Sequence, residues 1–454
     1  MRIVMSWLGE FVDLDGIAAD DLAERLTLAG LEVTAVERVG EWWDPERLIV
    51  GAVIRVMPHP NADRLVLADV DLGPAGSHRV VTGAPNLVAL REGGDLPRPM
   101  KVAYAREGAE IFDGHSAGWE KTVLKGRKVR GVMSDAMVCS EKELGLSDRH
   151  DEILVLEDEA PVGSPLTEVL GDVVLDVDVL PNFARAMSVV GVARETAVLF
   201  RRPFAAPLPG LGETTGTGVA ELVTVNISDP DLCPRYIARL VDEVAVGPSP
   251  AAMARRLTMA GMRSLSNVVD ATNYVMLEWG EPLHAFDYDA LVDRAAGRPP
   301  RITVRRAKPG ETMTTLDGEE RTLDGDTLLI ADDAGPVAIA GVMGGAETQV
   351  GAATTKVLLE AAAFDNIGIR RASRRQRIQS ESAARFGRGV HPAVAEAASR
   401  RAAQLVASVA GGAVAGGAVD AYPRPPQQVV VELPAGEVRR LLGADLDVAE
   451  VTDT

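Results

Sequence analysis

The chain has 454 residues, of which 46% are hydrophobic and 25% charged, and its formal net charge is −19. This composition excludes a disordered or fibrous protein, and the length suffices for two to four domains with their own cores. Only two cysteines occur, and no apolar run reaches the ~20 residues of a membrane helix. We therefore expect a soluble protein of the reducing cytoplasm, without a disulfide framework.

Positive charge is unevenly distributed along the chain. Five of the seven lysines lie between Lys101 and Lys142, and the stretch KTVLKGRKVRG contains no acidic residue. A second cluster, RRASRRQR, occupies residues 370–377. An acidic chain repels phosphate on average, but clustered cations can still bind it. The charge pattern therefore leaves nucleic-acid binding open at these two places.

Residues 1–40 predict a small helical unit. Leu22, Leu26 and Ala29 recur at helical spacing, and Gly30 suits the end of a helix. From this point on, the pattern of apolar residues changes to short alternating segments, which indicates strands.

Residues 41–152 predict a small β-barrel of the OB type. The segments LIVGAVIRV, RLVLADVDLG, RVVTG and MKVAYA read as short strands separated by turns. The turn HPNADRL places His59, Asn61 and Arg64 beside a strand, where they could reach bound RNA. The candidate basic surface consists of Lys121, Lys125, Arg127, Lys128 and Arg130. The alternatives are an ordinary tight turn and a solvated charged face.

A connecting segment, 153–205, leads to an α/β domain that we predict over residues 206–420. A Pro-, Gly- and Thr-rich stretch from Pro203 to Gly218 predicts a linker at their junction. Ser249 and Pro250 predict the N-cap and first turn of the helix AAMARRLTMA. The segments TLLIA and PVAIAG predict two paired strands around the turn DDAG.

Three features of this domain are candidates for chemistry. His284 follows a Gly-Glu-Pro turn and either lines a cavity or sits in the core, the commoner position for a single histidine. Glu360 interrupts the apolar run VLLEAAAF, so its carboxylate is desolvated. It is either an acceptor for backbone N–H groups or a polar hook in a small-molecule pocket. Gly341, Gly344 and Gly345 form an ordinary turn or let a ligand approach the backbone.

The order of several motifs resembles one family. SWLGEFVDL, LTLAGLEV, HPNADRL, CSEKELGL, VVDATNYVMLEWGEPLHAFD, VLLEAAAF and RFGRGVHP follow the order found in the β subunit of bacterial phenylalanyl-tRNA synthetases. HPNADRL, VVTGAPN and LKGRKVRGVMSDAMVCSEKELGL also resemble the tRNA-binding modules of several aminoacyl-tRNA synthetases. The resemblance covers essentially the whole chain, and the family's β chain is longer. It implies a multidomain α+β protein: a helical unit, an OB barrel, an α/β editing domain and the truncated start of a further domain.

The resemblance also implies a function. The β chain would bind tRNA(Phe) and hydrolyse mischarged tyrosyl-tRNA(Phe), while the α subunit of an α2β2 tetramer charges the tRNA with phenylalanine. His284, Glu360 and Ser380 would line the editing pocket, with Gly344 at its backbone wall and Glu360 recognising the tyrosine hydroxyl. The chain contains no P-loop and no synthetase ATP signature. ATP and Mg²⁺ would therefore serve the holoenzyme, with metal ligands beyond Thr454.

Four positions depart from the family pattern. Phe183 in LPNFARAMS replaces an arginine, and Gly387 and His391 in GRGVHP stand at acidic positions. Ser380 replaces a threonine and keeps the hydroxyl. The first three changes bear on local packing and on editing competence.

The arginine cluster and the end of the sequence leave alternatives open. If RRASRRQR is helical, Arg370 and Arg374 lie one turn apart, as do Arg371 and Arg375, and an RNA acceptor end or an acidic neighbouring domain would answer their repulsion. Residues 425–454 predict the incomplete start of a further domain. Two other functions remain open: a free-standing tRNA-binding protein and a deacylase that acts without an α partner.

Overall fold

A computed structural model of the chain describes residues 1–206, 208–211, 214, 216–427 and 429–452. The predicted linker from Pro203 to Gly218 and the predicted start of a further domain both include positions outside these ranges. The described residues form an N-terminal sheet with its helices, a barrel-like sheet, and a larger region built on two sheets. This architecture is the mixed α+β class that the sequence predicts.

The N-terminal unit contains strands as well as helices. Arg2–Val4 and Glu32–Val39 flank the central strand Asp172–Asp178 in a three-stranded antiparallel sheet. The helices of this unit are Met5–Leu8, Ala19–Leu28, the 3₁₀ helix Pro181–Ala186 and Val189–Phe200. The prediction of a purely helical unit over residues 1–40 is therefore wrong. The sheet was missed because its central strand lies far along the chain from the two strands that flank it. The helix end at Gly30 is confirmed: its φ is +94°, and the Leu31 N–H donates to the Leu26 carbonyl at 2.9 Å.

The barrel-like sheet lies where the OB module is predicted. Its strand order is Met137–Val138, Gly94–Ala105, Leu48–His59, Ala62–Asp71 and Ser77–Thr82, all antiparallel. The short elements around it are the 3₁₀ helix Gly73–Ala75, the helices Pro85–Val88 and Leu166–Leu170, the paired strands Glu110–Phe112 and Lys121–Val123, and the paired strands Arg127–Val129 and Val132–Ser134. The Val81 N–H donates to Ser134 Oγ at 3.1 Å, so the last pair joins the free edge of the sheet.

The larger region is organised by two five-stranded sheets. The first has the order Thr224–Ile227, Arg301–Arg306, Leu328–Ala331, Pro336–Ile339 and Met343–Gly344. The second has the order Leu283–Asp287, Val357–Ala363, Arg235–Asp242 and Ala413–Val414, with Val419–Ala421 also paired to Arg235–Asp242. A small hairpin of Thr312–Thr314 and Glu320–Thr322 lies beside them. Every residue of Val357–Ala363 is buried, which explains why this strand reads as a nearly continuous apolar run.

The helices of this region cover its two sheets. They are Val219–Leu222, Ala251–Met259, Asn267–Trp279, Tyr288–Arg294, the 3₁₀ helix Ala346–Thr348, Asn366–Gln376, Glu381–Arg388 and Val394–Ala410. The predicted pairing of TLLIA with PVAIAG is confirmed, with Leu329 opposite Ile339. The predicted N-cap is wrong: Pro250 occupies that position, and the Ser249 hydroxyl donates to the buried Asp270 carboxylate instead.

Two helices, Ala435–Leu442 and Val448–Thr452, follow at the end of the described residues. Val429, Val430 and Val431 before them are each at least 80% exposed. Cys139 and Cys233 are both fully buried and unpaired. Within the described ranges, no helix is long and apolar enough to cross a membrane.

Candidate active site and nucleic-acid interface

A cavity of about 580 Å³ lies between the two sheets of the larger region. His284, Gly344, Glu360 and Ser380, which the sequence singles out, all line it. Strand register brings His284 and Glu360 together, because they lie directly opposite each other on adjacent antiparallel strands. Most of the remaining lining is apolar, and the further polar side chains are those of Ser266, Thr272, Asn273, Gln349, Glu381 and Ser382. The volume lies within the range of small-molecule sites.

Glu360 is a buried carboxyl group with an incomplete set of hydrogen bonds. Its side chain is 5% exposed, and Oε2 has no hydrogen-bond partner in the described part of the chain. Burial raises the pKa of Glu360 to about 8, an effect that the nearby Tyr236 hydroxyl only partly offsets. Of the two interpretations of this residue, the geometry favours the polar hook over the backbone acceptor, since an unpaired buried oxygen can gain a ligand donor.

His284 belongs both to the core and to the cavity wall. Its ring packs edge-on against Phe286, with the ring centroids 4.4 Å apart, and Nε2 is buried without a partner among the described residues. Burial lowers the pKa of His284 to about 4, so the imidazole is neutral at physiological pH. A neutral ring nitrogen in this place can accept a hydrogen bond from a bound water or a substrate group.

Gly344 forms the backbone wall opposite the imidazole. A Cβ atom built at this position would lie 2.3 Å from Cε1 and 2.8 Å from Nε2 of His284, closer than van der Waals contact permits. Gly341 has a different requirement, because its φ of +65° lies in the left-handed region. The glycine-rich segment is therefore more than an ordinary turn: at Gly344 it lets the histidine approach bare backbone.

The Ser380 hydroxyl already has structural hydrogen bonds. It donates to the Val342 carbonyl at 2.9 Å and accepts from the Ala383 N–H at 3.1 Å, as the N-cap of the helix Glu381–Arg388. Ser380 therefore joins the glycine-rich segment to this helix. It lines the cavity chiefly as a fixed support.

Replacing Gly344 by alanine should disable the cavity without unfolding the domain. The new methyl group forces the His284 ring away from its position, and a displacement of about 1 Å at a reacting group can cost roughly 100-fold in rate. The measurement is the imidazole nuclear magnetic resonance signal of His284 in the purified protein, with the melting temperature as the check on folding. Gly351→Ala is the matched control, since a Cβ at Gly351 meets no atom within 4 Å. The same His284 signal in the two variants would contradict the proposed contact.

Two side chains near the cavity escaped the sequence analysis. Tyr236 and Glu281 are both 0% exposed and lie within electrostatic reach of Glu360. Tyr236 looks like an ordinary strand residue in RYIARL, and Glu281 looks like part of the Gly-Glu-Pro turn. A carboxyl flanked by Gly280 and Pro282, three residues before the candidate His284, was the available signal.

The strands Arg127–Val129 and Val132–Ser134 form a hairpin, here called the basic hairpin. Its turn residues Arg130 and Gly131 have φ values of +49° and +96°, as a two-residue primed turn requires. The exposed cations on and beside it are Lys125, Arg127, Lys128 and Arg130. None of these four forms an ion pair within the part of the chain that the structure describes. Four unanswered cations on one short element favour an anionic partner over a merely solvated face.

The fifth cation of the predicted surface is already paired. Lys121 Nζ lies 2.5 Å from Glu110 and 4.5 Å from the centroid of the Trp42 ring. Its charge is therefore partly neutralised by the barrel itself, and we place it at the border of the basic surface rather than within it.

His59 and Asn61 both contact the backbone of the basic hairpin. The His59 side chain is buried and its Nε2 lies 3.2 Å from the Val129 carbonyl, while Asn61 Nδ2 donates to the Arg130 carbonyl at 3.0 Å. Arg64 is exposed beside them. We expected all three to reach RNA. His59 is buried against the hairpin, whereas Asn61 and Arg64 are exposed and stay candidates for RNA contact.

The arginine cluster is helical, as one of its interpretations assumed, within Asn366–Gln376. Arg370 donates to the Gly387 carbonyl at 2.9 Å, and Arg375 pairs with Asp324 and Asp326. Acidic side chains of the same domain therefore offset the positive charge of Arg375. Arg374 forms no ion pair among the described residues and remains a candidate for RNA contact.

Three of the four departures from the family pattern lie outside the cavity, and the fourth, Ser380, lines it. Phe183 packs on Gly30 and beneath the Arg185 guanidinium, which is 4.9 Å from its ring centroid. Gly387 adjoins the stem of Arg370, and His391 Nδ1 accepts from the Ala393 N–H. None of these three substituted residues is part of the wall around His284.

Comparison with known proteins agrees with this geometry. Residues 48–165 match the model of a putative tRNA binding domain, and residues 232–411 match that of a B3/4 domain. The phenylalanine–tRNA ligase beta subunit of Dehalococcoides mccartyi is 44% identical over 445 residues, which are 98% of this chain and 52% of the relative. The beta subunit of Moorella thermoacetica is 45% identical over 454 residues, covering 98% and 53%, and that of Salinibacter ruber is 43% identical over 463 residues, covering 100% and 53%.

The chain spans about half the length of these curated relatives. The two matched domains fall on the barrel that carries the basic hairpin and on the region that contains the cavity. The identity extends over nearly all of the chain rather than over either domain alone. The chain therefore belongs to the phenylalanine–tRNA ligase beta subunit family.

Proposed function

We propose that this chain is the tRNA-binding and editing part of a phenylalanine–tRNA ligase, and that its cavity hydrolyses tyrosyl-tRNA(Phe). The observation that carries the proposal is the pairing of an unsatisfied buried carboxyl group, Glu360, with a neutral imidazole, His284, in one cavity of about 580 Å³. A tyrosine hydroxyl supplies the partner that the carboxyl lacks. Phenylalanine leaves the carboxyl unpaired, so the cavity penalises it.

The cavity has the groups that ester hydrolysis needs. In the reaction the oxygen of one water bonds to the ester carbonyl carbon, the bond to the ribose oxygen breaks, and that oxygen takes up a proton. His284 Nε2, in the tautomer that leaves it unprotonated, accepts a hydrogen bond from the water and orients it. With a pKa of about 4, the imidazole is a weak base and acts mainly by position. No covalent intermediate on the protein is required.

The remaining parts of the charging reaction belong to partners. The α subunit of an α2β2 assembly would activate phenylalanine with ATP and Mg²⁺ and transfer it to tRNA(Phe) in the cytoplasm. The basic hairpin, Arg64 and Arg374 would contact the tRNA on this chain. Two observations support these tRNA contacts: the unpaired positive charge of the hairpin, and the match of this module to tRNA-binding domains.

Co-expression of the full-length chain with a candidate α subunit tests the proposal. The purified complex should charge tRNA(Phe) with phenylalanine and hydrolyse tyrosyl-tRNA(Phe) much faster than phenylalanyl-tRNA(Phe). The same complex carrying Gly344→Ala serves as the editing-deficient control. Charging without any tyrosyl-tRNA hydrolysis would reject the editing role of the cavity, and failure to charge with every candidate α subunit would reject the ligase assignment.

A further inference from the structure

Glu281 is the most unusual buried group that the proposed reaction leaves unexplained. Its side chain is 0% exposed and lies just before the His284 strand, Leu283–Asp287. The Ala362 backbone N–H lies close by, but no well-aligned hydrogen bond reaches either carboxyl oxygen from the described residues. A buried carboxyl without partners costs several kcal/mol if ionised, so its presence calls for a reason.

Strand register brings Glu281 close to Glu360, because Leu283, two residues after Glu281, lies opposite Ala361 on the Glu360 strand. Among the described residues, the charged groups that act on it are Glu360 and Arg235. The Arg235 guanidinium is already engaged by Asp420, at 2.8 and 3.0 Å, and by the Pro392 carbonyl. The Cys233 thiol and the Tyr236 hydroxyl complete the buried cluster, and both feel the charge of Glu360. Little positive charge is therefore left to stabilise a second carboxylate here.

Burial disfavours a negative charge at every titratable member of the cluster. Burial raises the pKa of Glu281 well above its usual range, and the Glu360 carboxylate raises it further. Burial likewise raises the pKa of Tyr236 and of Cys233. Glu360, with a pKa of about 8, is thus the member of the cluster that ionises first, while Glu281 stays protonated.

We propose that Glu281 is a positioning residue for the editing reaction: a neutral carboxylic acid that, together with Tyr236, holds the Glu360 carboxyl toward the cavity. A protonated carboxyl can donate a hydrogen bond to an ionised neighbour through a water, and no direct bond joins Glu281 to Glu360 among the described residues. This role rests on the proposed function of the cavity and adds a specificity determinant to it. Glu281 itself does not touch the substrate.

The test compares two substitutions in the full α2β2 complex. Glu281→Gln keeps the shape, the neutrality and a hydrogen-bond donor, so the rate of tyrosyl-tRNA hydrolysis should stay within about twofold of the parent. The pH midpoint, which is the pH at which titration of Glu360 half-changes this rate, should also stay the same. Glu281→Leu keeps bulk but removes the polar group. We expect it to raise KM for tyrosyl-tRNA about tenfold, with a smaller change in kcat, and to move the pH midpoint upward, because an apolar neighbour raises the pKa of Glu360 further.

A matched control separates this effect from general destabilisation. Glu278 is also a buried glutamate, but it pairs with Arg401 at 2.8 and 3.0 Å and does not line the cavity. Glu278→Gln should therefore lower stability and leave the pH midpoint unchanged. If Glu281→Leu does not fold, Glu281→Met, which also keeps bulk and removes the polar group, takes its place.

Three results would overturn the inference. An unchanged KM and pH profile for Glu281→Leu would remove any role of the residue. A loss in Glu281→Gln as large as in Glu281→Leu would show that neutrality is not what matters. A downward shift of the midpoint in Glu281→Gln would mean that Glu281 is charged in the parent. Failure of the proposed function is distinguishable, since the parent complex would then not hydrolyse tyrosyl-tRNA at all.

Discussion

Replacing Glu360 by alanine is expected to remove rejection of tyrosine while leaving the charging of tRNA(Phe) with phenylalanine nearly intact. The buried carboxyl has an oxygen free for the tyrosine hydroxyl, and leaving that hydroxyl buried without its partner costs about 1–3 kcal/mol, or about 5- to 150-fold. Hydrolysis of tyrosyl-tRNA should fall by that factor. The assay compares deacylation of tyrosyl- and phenylalanyl-tRNA by the parent and variant complexes.

A control and a second readout make this result specific. Glu320→Ala removes an exposed glutamate from the hairpin beside the same domain and should change neither reaction. Unchanged tyrosyl-tRNA hydrolysis in Glu360→Ala would eliminate the hook. Glu360→Gln provides the second readout, which is the dependence of stability on pH rather than activity.

The sign of that dependence follows from the titration of Glu360. Folding raises its pKa from 4.5 to about 8, so the folded protein keeps a proton that the unfolded chain releases. The free energy of unfolding therefore falls as pH rises from about 4.5 to about 8. Glutamine does not titrate, so Glu360→Gln should match the parent near pH 4 and melt a few degrees higher near pH 8. Equal melting temperatures at both pH values would show that the carboxyl is not desolvated.

Neutralising the basic hairpin is expected to have the largest effect on tRNA affinity. The combined variant Lys125→Gln, Arg127→Gln, Lys128→Gln and Arg130→Asn removes four unpaired cations, and asparagine tolerates the left-handed backbone at the turn. Each lost phosphate contact should reduce the slope of log affinity against log salt by about 0.7–0.9. Affinity should fall at least tenfold, measured by filter binding or anisotropy across a salt series.

Cations that already form ion pairs with acidic side chains of the barrel supply the control. Arg55 and Arg98 pair with Asp95 and Asp158, so Arg55→Gln combined with Arg98→Gln should leave the salt slope nearly unchanged. A second comparison uses Asn61→Ala, which keeps every cation but removes the bond to the Arg130 carbonyl. It should weaken binding while preserving the slope. Identical affinity and slope for the four-cation variant and the parent would exclude the hairpin from the interface.

Two elements of the cavity leave a local sign in the sequence, whereas His284 and Ser380 were placed in the pocket by the family resemblance. Glu360 breaks an otherwise apolar run, and Gly344 belongs to a segment too rich in glycine for a strand alone. The same approach missed Tyr236 and Glu281, whose importance depends on strand pairings between distant segments. The N-terminal sheet was missed for the same reason, because its central strand is Asp172–Asp178.

The OB module shows a different limit of sequence reasoning. Its strands and its cluster of cations were predictable from alternation and charge. The roles of His59 and Asn61 were not, because a polar side chain in a turn can point outward to a ligand or inward to another loop with the same local sequence. The position of Val129 and Arg130 shows that both side chains contact the backbone of the basic hairpin, His59 from a buried position and Asn61 from an exposed one.

The burial of Cys139 and Cys233 has a practical consequence for attaching probes to the protein. Burial raises the pKa of both thiols, so the reactive thiolate is scarce and thiol reagents cannot reach the sulfur atoms in the folded chain. Within this part of the protein, a cysteine introduced at the exposed Met133 would be the single site for maleimide chemistry. A fluorophore or crosslinker could then be attached to the basic hairpin of the native sequence without first removing either natural cysteine.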